Sequence, residues 1–270
     1  MKNKSPFSRK KPNFSAKKAE NEAEILLHDE IGFWGIQSGD FKRALDEIEA
    51  DTLHVRINSP GGAVFDGFAM YNALEQWDGK VVAHIDGLAA SIASVIALGA
   101  DEIVMGEGAY FMIHDPWTIE VGDADAMRKA AGLLDKLGGS IAAIYAKRTG
   151  ASLDEIEQLM ADETWFDADE AIEIGLANRK EPGAGAKAQV FDLSMYAKVP
   201  AALRADNQND VPSKRDLERL LTRDAGLSRS QAAAFVRDGY HALSGTRDAA
   251  EEADNLLQAL QTALSIIYNP

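Results

Sequence analysis

The sequence predicts an α/β layered domain with a largely parallel sheet, and three observations support this. Strand-length apolar runs alternate with helix-spaced segments through the first half of the chain. Glycine- and proline-rich breaks separate them, as short βα connections require. A chain of 270 residues, 46% hydrophobic and 26% charged, is long and apolar enough for one sizeable core plus appendages.

Order is expected to begin near Glu24. ILLHDEIGFWG predicts a strand that turns at Gly32 or Gly35, and GDFKRALDEIEA a short helix with Gly39-Asp40 at its start. TLHVRIN reads as a strand ending in the breaker Ser59-Pro60-Gly61-Gly62. AVFDGFAMYNALEQW has helical spacing at Phe65, Phe68, Met70, Tyr71 and Leu74. KVVAHID is the next strand, followed by a small-residue helix over GLAASIASVIALGA. DEIVMGEGAYFMIHDP predicts two strands around Gly106-Glu107-Gly108. A long helix follows from about Asp123 to Arg148, then two capped helices, SLDEIEQLM and ADEAIEIGL.

Beyond this the pattern changes. Residues 181–212 read as a linker, with one short strand at QVFDLSMY. Residues 213–270 predict a helical region: two short helices meeting at Ala225-Gly226-Leu227, the second opened by a Ser228/Gln231 capping box, then a helix with Leu256, Leu257, Leu260, Leu264 and Ile267 on one face. The domain plan is a disordered basic tail over 1–23, a folded domain over 24–180, the linker, and the helical C-terminal region.

Charge excludes some functions. Residues 1–19 hold seven Lys or Arg and no acid, so with −15 overall the rest of the chain carries −22. An acidic body is a poor general binder of nucleic acid, whose affinity comes mostly from phosphate neutralisation. The helix pair at 213–239 nets only +2, too little for a DNA-binding helix-turn-helix. No apolar run reaches membrane-spanning length, and with no cysteine there are no disulfides or thiolate chemistry. The expected location is cytoplasmic. No histidine–carboxylate set has ligand spacing, so neither metal nor cofactor is expected.

Three stretches carry candidate chemistry. In GLAASIAS, Gly87 to Ser94, Ser91 stands where a strand gives way to a helix; there helix amides favour negative charge and small neighbours admit a substrate backbone. Ser94 lies one turn deeper and is expected to pack. The loop Asn58-Ser59-Pro60-Gly61-Gly62 can bring backbone amides close to a ligand. His114 closes the apolar strand YFMI, and the adjacent Asp115 points to the opposite face. Taken singly, such stretches are more often a close-packed helix, an ordinary Pro-Gly turn and a structural histidine. His28, His54, His84 and His241 have no partner motif and are assigned structural or surface roles.

In order and spacing, INSPGG, GLAASIAS, YFMIHDP and ETWFDADEAIEIGL resemble the proteolytic subunit of the Clp protease over about residues 24–180. Within that family, DEIGFWG and ETWF are most similar to the Clp-like head-maturation (prohead) proteases of tailed phages. The resemblance implies a Clp/crotonase-like fold of repeated β-β-α units with a protruding helix–strand handle. It implies Ser91 as nucleophile, His114 as general base, and the amides of Gly61 and Ile92 as oxyanion donors. The third member departs from the family's usual aspartate: alignment on Ala168 gives Glu163, with Asp162 in reserve. Gly62, Ala63, Pro116 and Trp117 are the expected substrate contacts.

The function expected on this basis is serine endopeptidase action, independent of ATP, on capsid or scaffold proteins during phage head assembly, with self-processing a further expectation. The partners are that substrate and further copies of the chain in a ring, with no specific nucleic acid and no membrane. Two alternatives stand beside it: a non-catalytic head-assembly protein on a Clp-like platform, and a crotonase-type acyl-CoA enzyme.

Overall fold

A computed structural model describes residues 16–19, 21–33, 35–182 and 191–203. All of them belong to one unit built on an eight-stranded sheet. Strands β2 (Glu22–Leu27), β3 (Thr52–Ser59), β4 (Lys80–Ala90) and β5 (Glu102–Gly106) run parallel and side by side, with β8 (Arg179–Glu181) parallel to β5. β1 (Ala16–Ala19) adds an antiparallel edge to β2, with Lys17 in register with Glu24. β1 lies within the segment expected to be a tail. Residues 1–15 and the region 204–270, with its expected helices, lie outside the described residues.

β4 organises the site because it is long enough to have two neighbours on one side. Val82–Ile85 pair with β5, and Leu88–Ala90 pair with β6 (Tyr110–Ile113). β7 (Thr164–Phe166) then closes antiparallel on β6. The small residues of GLAA thus finish a strand instead of starting the expected helix: Leu88–Ala90 pair with β6 on one side and Ala89 with Ser59 of β3 on the other. The helix α3 is only Ile92–Ala97.

Period-two alternation decides the faces. Leu53, Val55 and Ile57 point into the main core, and burying each contributes about 1.5–3 kcal/mol. His54 and Arg56, between them, face the other side. The main core is closed by α1 (Ser38–Asp46) through Phe41 and Leu45, α2 (Val64–Glu75) through Met70, Tyr71 and Leu74, and all of α3. In α2, Phe65 is an exception to the expected apolar face and is exposed. Gly67 lets α2 approach α3 closely: a Cβ there would lie 2.0 Å from Ile92 Cγ1.

The long helix α4 (Ala124–Thr149) is capped by Asp123, which accepts from the amides of Asp125 and Ala126. Only its last third is buried, through Ile141, Ala142 and Tyr145. Leu133 and Met127 are exposed, as are Trp117, Ile119 and Val121 in the segment leading into the helix. Ile141 is buried in the chain's main core, and the partly buried Ile144 packs against it. α5 (Leu153–Ala161) and α6 (Ala168–Glu173) are the two capped helices the sequence predicts; the first is capped by Ser152 and the second by an Asp167/Glu170 capping box. No helix among the described residues is long and apolar enough to cross a membrane.

Part of the expected linker is not a spacer. Phe191–Leu203 forms no strand, so the one expected at QVFDLSMY is absent over 191–196. This segment packs Tyr196 and Val199 onto Leu88, Ala90 and Met112, with Tyr110 and Trp165 alongside. Those are the alternate residues of β4, β6 and β7, the face turned away from the main core.

Candidate active site

Ser91 stands at the break between β4 and α3. Its amide still donates to Met112 O at 3.0 Å, holding it to β6. Its backbone is at φ 54°, ψ −129°, a conformation that costs a side-chain-bearing residue about 1–3 kcal/mol. Among the described residues only Ser91 and Glu163 combine a side chain with positive φ. Strain confined to two positions in one cluster marks a place where geometry was fixed for another purpose than stability.

His114 is the first residue beyond β6, and its Nε2 lies 2.8 Å from Ser91 Oγ. The antiparallel register pairs Ile113 with Thr164, so the next position along sets His114 opposite Glu163. Burial is the main influence on the imidazole and lowers its pKa below 6.5; the charges of Glu163 and Asp115 pull it back only in part. At neutral pH the ring is therefore an uncharged base beside a hydroxyl.

Glu163 is close enough to act on His114 by charge, but among the described residues no hydrogen bond joins them. Its oxygens instead accept from Ala197 N at 2.8 Å, Lys198 N at 2.6 Å and Trp165 Nε1 at 3.1 Å. Burial, the largest single influence, raises its pKa; the two amides, the indole and His114 together outweigh it and hold the carboxyl below its usual range. Asp162 turns outward to Gln158 and Lys198, and Glu163 and Asp115 are the carboxylates whose charge bears on His114.

The glycine loop lies directly against the serine. A Cβ on Gly61, which has φ +99°, would be 2.7 Å from Ser91 Cβ and 2.8 Å from Ala90 O, so no other residue fits. Gly61 N donates to Ser59 Oγ at 3.2 Å, so that amide must change partner to meet an oxyanion. Ile92 opens α3, where a helix has no internal acceptor for its first amides. Gly62 and Ala63 are bridged to Ile31, which accepts from Ala63 N at 2.9 Å. Pro116 lines an open groove with Leu134, Gly138 and Met160, and Trp117 is half exposed. Ser94 is fully buried between Tyr145 and the carbonyl of Ser91. Among the described residues no cluster of three or more His, Asp or Glu could hold a metal ion.

Sequence reasoning missed Tyr196. Its ring meets His114 edge-on at 5.3 Å and Trp165 at 5.8 Å, and its hydroxyl donates to Pro60 O at 2.5 Å. Burial pushes the phenol up to about 12, with a hydrogen bond to Ser91 opposing that rise. The signal was two aromatics, Phe191 and Tyr196, in a span otherwise rich in Gly, Ala and Pro.

Comparison with known proteins agrees with this geometry. The family described as Clp protease matches residues 43–179. The chain is similar to the ATP-dependent Clp protease proteolytic subunit 1 of Protochlamydia amoebophila, 34% identical over 127 residues, covering 46% of this chain and 62% of that protein. It is also similar to the ATP-dependent Clp protease proteolytic subunit of Chlorella vulgaris, 31% identical over 129 residues, covering 47% and 64%. It thus spans just under two thirds of the length of these curated relatives. Among solved structures, a point mutant of ClpP1 from Listeria monocytogenes matches with a TM-score of 0.53 at 23% identity, covering 60% of this chain and 92% of that one, a likeness of fold. With the family match extending over more than half its length, this chain belongs to the Clp protease family.

Proposed function

We propose that the chain is a serine endopeptidase. The observation that carries this reading is the 2.8 Å contact between Ser91 Oγ and His114 Nε2 at a strained strand-to-helix junction. In the reaction Ser91 Oγ attacks the scissile carbonyl carbon while His114 Nε2 takes the hydroxyl proton. The oxyanion is met by the amides of Ile92 and of Gly61, once the latter leaves Ser59. His114 then gives its proton to the departing amine, and water releases the acyl group by the same two steps in reverse. Glu163 stabilises the imidazolium that forms between them.

The substrates proposed are capsid or scaffold proteins of a phage head, supported by the resemblance of DEIGFWG and ETWF to head-maturation proteases. A homo-oligomeric ring is proposed as the working form. The uncovered apolar residues of α4 and its approach segment, Met127, Leu133, Trp117, Ile119 and Val121, support contact between copies. The segment 213–270 is proposed to capture the capsid or scaffold partner. Co-expression with the capsid and scaffold proteins encoded beside it is the test, read by mass spectrometry. Shortened capsid or scaffold chains should be present with the native sequence and absent with Ser91→Ala. Full-length partners in both would refute the substrate, and identical shortened products in both would refute the peptidase.

A further inference from the structure

Phe191–Leu203 reaches His114, Glu163 and the glycine loop at once. Tyr196 fills the space beside Ser91, its ring against His114 and its hydroxyl on Pro60 O in the glycine loop. The next two residues, Ala197 and Lys198, spend their amides on Glu163, the carboxylate that register sets opposite His114. Val199 fixes the far side on Leu88, Ala90 and Met112. Both Tyr196 and Val199 are more than nine-tenths buried. A peptide substrate must place its carbonyl carbon against Ser91 Oγ and its oxygen toward the Gly61 loop, and Tyr196 lies across that approach.

Resting on the peptidase reading, we propose that Phe191–Leu203 is an autoinhibitory strap: the chain's own segment blocks the acyl site with Tyr196 and holds Glu163 away from His114. Two consequences follow from the same contacts. While the strap is seated, Ser91 and His114 touch but the carboxylate serves the strap amides. When it leaves, Tyr196 uncovers Ser91, Pro60 O loses its donor, and Glu163 is free to turn to His114. The strap also covers the apolar face made by Leu88, Tyr110, Met112 and Trp165, so an incoming segment with an aromatic and an aliphatic side chain competes for the same surface.

The test is the rate of fluorophosphonate labelling of the full-length chain, compared with Tyr196→Ala and with Val199→Asp, which unseats the strap by placing a carboxylate among Leu88, Ala90 and Met112. A strap seated nine-tenths of the time would slow labelling about tenfold, so both variants should label at least about tenfold faster than the native chain. A synthetic peptide of residues 191–203 added in trans should slow the Tyr196→Ala chain again, and the same peptide with Ala in place of Tyr should not. Circular dichroism confirms that the variants are folded. Folded variants that label no faster than the native chain, with no effect of the peptide, would overturn the strap while leaving the peptidase intact. Labelling of none of the three folded chains would overturn the peptidase reading and the strap with it.

Discussion

Two polar clusters lie along β4, one around Asp86 just past its middle and one at its end, and they differ in how their charges are met. In the first, Asp86 is almost fully buried and accepts from His28 Nε2 at 2.9 Å, Arg56 Nε at 2.9 Å and a second Arg56 nitrogen. Burial pushes its carboxyl up most strongly, yet these bonds hold it below its ordinary 3.8. The backbone there is relaxed and the carboxylate is saturated by fixed partners. In the second, Ser91 and Glu163 sit at positive φ, and Glu163 faces His114 without bonding to it. A saturated, unstrained cluster has no lower state to move to and serves the fold. A strained one whose carboxylate is held by a separate segment can exchange partners, as the proposed peptidase reaction requires.

Breaking the comparison starts with the nucleophile. Ser91→Ala should remove all fluorophosphonate labelling and peptide cleavage with the fold retained, read by intact mass and circular dichroism. Next, Glu163→Gln in the Tyr196→Ala chain should slow peptide cleavage by roughly 10²–10⁴-fold, the scale of losing a triad carboxylate. It should also move the pH profile. In the proposed reaction His114 works as a neutral base, and Glu163 raises its pKa, so removing that charge should shift the acid limb further below 6.5. Asp162→Asn, at an outward-facing position, should leave both readings near those of the parent.

The first cluster responds in stability instead. Asp86→Asn leaves Arg56 partly buried without its counter-charge and should cost about 3 kcal/mol in urea unfolding, with the labelling rate per folded molecule unchanged. Because the folded carboxyl titrates below 3.8, its contribution is complete above that value and is lost as pH falls through the lower folded one; the gap between parent and variant should close accordingly. Ser94→Ala is the smallest change. It removes one buried hydrogen bond to Tyr145 and should cost about 1 kcal/mol while leaving Ser91 reactive.

Much of this was legible in the sequence because short motifs dictate local backbone. SPGG marked a loop able to bring backbone amides to a ligand, and SLDEIEQLM and ADEAIEIGL marked two capped helices. The match of His114 to Ser91 followed from the family pattern of INSPGG, GLAAS and MIHD. GLAA was misread as helical because four small residues carry no periodicity; the pairing of Leu88–Ala90 with β6, a tertiary contact, made them strand. β1 was hidden in a lysine-rich segment, since Ala-Lys-Lys-Ala carries no strand alternation to read. The partners of Glu163 were out of reach: two backbone amides more than thirty residues away have no side-chain signature. Tyr196 was hidden for the same reason, in a segment whose order comes from packing on the sheet and not from any repeat of its own.

The central claim is that Ser91, activated by His114, is the reacting group, and mapping the site of fluorophosphonate attachment in the Tyr196→Ala chain tests it most directly. Tandem mass spectrometry of the digested adduct should place one phosphonyl group on Ser91, with attachment slowing as pH falls through a value below 6.5. Attachment at Ser94 or another hydroxyl, or a folded chain that takes up no label at neutral pH, would contradict the account.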